Sequence, residues 1–102
     1  MKQLFGMIGE NIKMPDLLDS YLGYTFFVKG DGVSEPVHVH VAKGHPDNAT
    51  KFWLTSDSVE IAKDCGTVDK KDMAKVLRYI RKNKERLLAL WVMHFKHAEL
   101  KR

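Results

Sequence analysis

The apolar residues of this chain change period partway along it, and no other feature limits the fold as much. Val37, Val39 and Val41 alternate with His38 and His40, the period of two of a strand whose faces differ. Thr50–Thr55 (TKFWLT) alternates again, and residues 22–29 (LGYTFFVK) are rich in the aromatic and β-branched types that strands favour. From Met73 the spacing becomes i, i+3, i+4, i+7, through Val76, Leu77 and Ile80, and it resumes in Leu87, Leu88, Trp91, Phe95 and Ala98. That is the stripe of an amphipathic helix. Strands followed by helices predict an α+β fold: a small antiparallel β-sheet of three to four strands, packed on one face by C-terminal α-helices.

Punctuation refines this outline. The loops between the three strand runs are about five to nine residues, short enough for a meander. Ser56-Asp57-Ser58 offers N-caps, Glu60 stands three after Asp57 as in a capping box, and Gly66 stops the segment, so 58–65 read as a short helix. Asp69 is placed to cap the next helix. A single helix from there to residue 98 would measure roughly 45 Å at ~1.5 Å per residue, so two helices meeting near Asn83 are expected. Before residue 15, Leu4, Met7, Ile8 and Ile12 suit a helical stripe as well as a strand, and the conformation of residues 1–20 stays open.

At 102 residues, with 44% hydrophobic and 29% charged, the chain is sized and composed for one globular domain, 1–102. Its longest apolar runs fall far short of the ~20 residues that cross a bilayer, and Gly6, Gly9, Glu10 and Asn11 interrupt the start where a secretory signal needs an apolar stretch. Cys65, the single cysteine, forms no internal disulfide. A cytoplasmic protein without membrane contact is expected.

Charge is unevenly spread. The total is +4, but residues 1–69 carry −4 and residues 70–102 carry +8. Lys70, Lys71, Lys75, Arg78, Arg81, Lys82, Lys84 and Arg86 lie within seventeen residues that hold only Asp72 and Glu85 as acids. The pattern fits an acidic partner or nucleic acid, and equally a solvated helix face.

If the valines of the central strand face the helices, alternation sends Phe27, Lys29, His38, His40, Lys51 and Trp53 to the other side of the sheet. Three uses suit such a face. Rings flanked by ammonium groups stack nucleobases and meet phosphates. The rings can instead bury against another protein, a second copy or the first residues of the chain. Thirdly, His38 and His40, ~6.6 Å apart along one strand face, can converge on a divalent metal, with Glu35, His45 or Asp47 as a third ligand. His94 and His97 form a second same-face pair on the last helix, on the side of the sheet that the valine assignment places opposite. No other cofactor is indicated. Cys65, at the end of the expected short helix, reads as an inert thiol, and G-x-S-x-G, Walker and H-E-x-x-H motifs do not occur.

In their order along the chain, YTFFVK, EPVHVHV (Glu35–Val41), ATKFWL (Ala49–Leu54), VEIAKDCG, a Lys-rich helix and ERLLALWVMHF resemble the small bacterial proteins of the Domain of Unknown Function 4160 family. The likeness spans about residues 14–97. Residues 1–13 read as an N-terminal extension before Met14-Pro15, and Val37 stands where the family more often has Pro. The resemblance implies no established activity. It implies genes set beside another short family with DNA-binding features, hence the binding component of a toxin–antitoxin-like or regulatory pair with a protein partner from the neighbouring gene. The alternative is a nucleic-acid-binding protein or an RNA-directed nuclease using His38 or His40 for acid–base work. The expected contact residues are Phe27, Lys29, Lys51 and Trp53 on the sheet, and Lys71, Lys75, Arg78 and Lys82 on the helix.

Overall fold

The computed structural model describes residues 16–30, 34–97 and 99–101. Five strands, β1 (Asp16–Tyr21), β2 (Tyr24–Phe27), β3 (His38–Ala42), β4 (Thr50–Leu54) and β5 (Val59–Lys63), precede two helices, α1 (Lys70–Lys82) and α2 (Lys84–Phe95). The strands form an antiparallel meander in chain order. The α+β class holds, with five strands among the described residues where three to four were expected. The N-terminal extension expected over residues 1–13 lies outside the described residues.

Two differences have local causes. Val59–Lys63 is an edge strand, not part of a short helix. Ser58 serves a hairpin turn instead: the Thr55 amide donates to the Ser58 carbonyl at 3.0 Å, and the Ser58 amide donates to Thr55 Oγ1 at 2.8 Å. Val59 and Ile61 then pair with Leu54 and Phe52, a gain that outweighs a weak local helix preference. Strand β1 escaped notice because a register irregularity between Asp16 and Leu18 buries both Leu17 and Leu18, and a bulge erases the period of two. Leu22 and Gly23, at φ 55° and 83°, join β1 to β2 with the positive φ at both central residues that tight hairpins require.

The valine face is the core, as alternation predicts. Tyr24, Phe26, Val39, Val41, Phe52 and Leu54 belong to one buried cluster with Val76 and Ile80 of α1 and Leu87 and Trp91 of α2. The helices are separate and break at Asn83, whose side-chain amide donates to the Tyr79 carbonyl at 2.9 Å and so ties off α1. Asp69 is the N-cap of α1 by position, yet its side chain makes no capping bond. A strand residue does that work: the Asp69 amide donates to Tyr24 Oη at 3.1 Å, and the Tyr24 hydroxyl donates to the Asp72 carboxylate at 2.7 Å. Tyr79 locks the other end of α1 to β1, stacked on Tyr21 with centroids 4.4 Å apart and donating to the Asp19 carbonyl. After α2 the chain returns to the sheet. The Val37 amide donates to the Glu99 carbonyl, and the Lys101 amide to that of Leu54.

Candidate functional site

Strand register brings the expected sheet-face residues together. Phe27 lies opposite His40, His40 opposite Lys51, and Lys51 opposite Lys63, while His38 lies opposite Trp53. Directly opposed residues project to the same side, so Phe27, His38, His40, Lys51 and Trp53 share one face. Sequence reasoning missed Lys63, because a helix at 58–65 gave that residue no place on the sheet. Reading VEIAK as a strand would have put it there.

The expectation of an outward, accessible face is corrected for three of its members. Phe27 and His38 are fully buried, and His40 is 4% exposed. Aromatic packing takes up these rings. His38 meets Trp91 edge-on at 5.1 Å between centroids, Trp53 at 5.5 Å and His40 at 5.0 Å, and Phe27 lies against His40 and His45. Alternation determines which residues share a face, but says nothing of what lies over it. Lys29, Lys51 and Trp53 are half-buried. The Trp53 ring already receives two ammonium groups, Lys51 Nζ at 4.8 Å and Lys101 Nζ at 5.3 Å, cation–π contacts that occupy the surface a nucleobase would need.

The His38 ring is hydrogen-bonded to the backbone beside it. The ring of His38 donates from Nδ1 to the Pro36 carbonyl at 2.8 Å, with Glu35 3.8 Å from the same nitrogen. Of the third ligands suggested by sequence, Glu35 is drawn to Lys51 at 2.6 Å and His45 to Asp16 at 2.7 Å. The described residues contain no group of three or more His, Cys, Asp or Glu placed to hold a metal ion. His94 is exposed and lies beside Phe95, while His97 meets Trp91. A general acid or base must reach the proton it moves, and the buried His38 offers no exposed atom to a bound phosphodiester. Cys65 follows β5 and is half-buried.

The second cluster of expected residues behaves differently. Val76 and Ile80 turn α1 inward, and Lys70, Lys71, Lys75, Arg78, Arg81 and Lys82 are all exposed. None of the six takes part in an ion pair among the described residues. The helix's acid, Asp72, is engaged by Tyr24. Lys71, Lys75, Arg78 and Lys82 follow one another at i, i+4, i+7, i+11, a single basic stripe ~16 Å long. Because α1 packs on the valine face, this stripe and the histidine face lie on opposite sides of the sheet. Of the eight expected contact residues, the four on the sheet and the four on α1 thus lie on opposite sides, and Phe27 is buried.

No described helix is long and apolar enough to cross a membrane. No curated protein and no solved structure matches the chain. A family model does, the Domain of unknown function (DUF4160), over residues 23–92. That match takes in β2 through most of α2 and includes both surfaces, and the chain belongs to this family.

Proposed function

We propose that the chain is a binding protein, the partner-contacting member of a two-gene, toxin–antitoxin-like unit, and that it meets an acidic partner protein through the outer face of α1. The observation that carries this reading is the set of six exposed bases on α1 with no ion pair among the described residues. Single surface ion pairs contribute little, whereas a one-signed stripe raises association rates and rejects partners of the wrong charge. A protein partner is favoured over single-stranded nucleic acid because the rings needed for base stacking are withdrawn: Phe27 is buried, and Trp53 is covered by Lys51 and Lys101.

The test is co-expression with the product of the neighbouring gene, followed by size-exclusion chromatography with light scattering. A stable complex is expected, and Lys75→Glu with Arg78→Glu weakens it ~10-fold or more, since like-charge juxtaposition across an interface costs several kcal/mol. Absence of a complex, or one indifferent to the double reversal, overturns the reading. So does a complex that nuclease treatment removes and whose log–log salt slope is ~0.7–0.9 per phosphate contact, because the stripe then binds nucleic acid.

A further inference from the structure

On the other side of the sheet, away from α1, a cleft of about 190 Å³ opens beside β4 and β5, with Lys29, Lys51 and Lys63 in its walls, His40 on its floor, and Asn48 and Asp47 along one side. Its charge is unusual for a strand surface. Lys51 and Lys63 are directly opposed on neighbouring strands, an arrangement of like charges that destabilises a sheet. Lys29 reaches in from the third wall, where its ammonium donates to the Asp47 carbonyl. Against three ammonium groups stand Asp47 in the lining and Glu35, which pairs with Lys51. Lys63 is exposed and has no ion pair among the described residues.

We propose that this cleft is a binding site for a small phosphoryl-bearing anion, held between Lys29, Lys51 and Lys63 with the Asn48 side-chain amide as a neutral donor. An oxyanion there offsets the charge of Lys63, which has no ion pair among the described residues, and accepts charge-assisted hydrogen bonds from the lysines around it. Size limits the ligand. The volume is below the ~300–1,000 Å³ of pockets that enclose drug-sized molecules, so phosphate or a small phosphomonoester fits and a whole nucleotide does not. The site is independent of the α1 stripe, which faces away from it.

The probe is inorganic phosphate, titrated into the full chain at constant ionic strength with chloride as the control anion, and read by amide chemical shifts. Saturable shifts confined to Asn48, Ala49 and Lys63 are expected with phosphate and absent with chloride. Lys63→Met, at an exposed position that leaves the fold intact, weakens binding ~10-fold, about 1.4 kcal/mol, and Lys29→Met acts in the same direction. Lys75→Glu with Arg78→Glu leaves it unchanged. Non-saturable shifts, equal shifts with chloride, or saturation untouched by Lys63→Met overturn the proposal.

Discussion

Replacing Tyr24 with Phe removes one oxygen atom and tests how α1 is attached to the sheet. In a capping box the N-cap and the third helical residue satisfy each other's backbone amides. Here Asp69 and Asp72 occupy those positions, and the Tyr24 hydroxyl bridges them, accepting from the Asp69 amide and donating to the Asp72 carboxylate. Tyr24 is fully buried, so its ring stays in place as Phe while the bridge is lost. A hydrogen bond to a charged group contributes about 1.5–3 kcal/mol, and we expect Tyr24→Phe to cost about 2 kcal/mol. At about 4–8 °C per kcal/mol for a domain of this size, the melting temperature falls by about 8–16 °C. The pH dependence gives a second reading. Burial raises the pKa of Tyr24 above its ordinary value; the Asp69 amide opposes this, and the Asp72 and Asp69 carboxylates reinforce it. A hydroxyl whose folded pKa is raised contributes stability that is fully present below the unfolded value of ~10 and lost as pH climbs through the folded value. Tyr79 is raised in the same sense, first by burial and then by Asp19. Thermal melts from neutral to strongly alkaline pH should therefore fall less steeply for Tyr24→Phe than for the parent, with Tyr79 contributing to the slope that remains. A variant that melts with the parent at neutral pH and shows the same alkaline slope refutes the bridge.

Two further substitutions separate packing from hydrogen bonding. Trp91 is fully buried between His38 and Phe95 and its indole N–H has no hydrogen-bond partner among the described residues; Trp91→Ala should cost about 3–5 kcal/mol in chemical denaturation, while Trp91→Phe, which also removes the unsatisfied donor, should cost less than about 2 kcal/mol. Thr50 Oγ1 is buried and accepts from the Cys65 and Thr67 amides; Thr50→Val should cost about 1–3 kcal/mol with an unchanged denaturant slope, and hydrogen exchange should accelerate at those two amides first.

How far the sequence could be read follows from what each signal measures. Alternation in Val37–Val41 and Thr50–Thr55 identified β3, β4 and the core face, because side-chain direction in a strand is a local property of the backbone. The helical stripe and the length limit anticipated two helices and their break at Asn83. The five residues of β5 were misread because a capping pattern is also local, while pairing with β4 is not. The Tyr24 bridge joins residues 45 and 48 positions apart, and a spacing of that length leaves no trace in any window of periodicity.

The same distinction explains why the sheet-face site was half visible. Which side chains stand together on a face depends on neighbouring strands in register, so Phe27, His40 and Lys51 could be grouped before any coordinates. Whether that group meets solvent depends on contacts such as Trp91 on His38 and Lys101 on Trp53, made by residues tens of positions away. Burial reverses the chemical meaning of the group. Rings that would stack bases on an open sheet become packing, while the lysines at their margin stay in contact with water as well as with Glu35, Trp53 and Asp47. Charge on α1 escaped this reversal for a simple reason. A helix whose apolar stripe is Met73, Val76, Leu77 and Ile80 exposes the opposite side of its circumference, and the bases of α1 lie there.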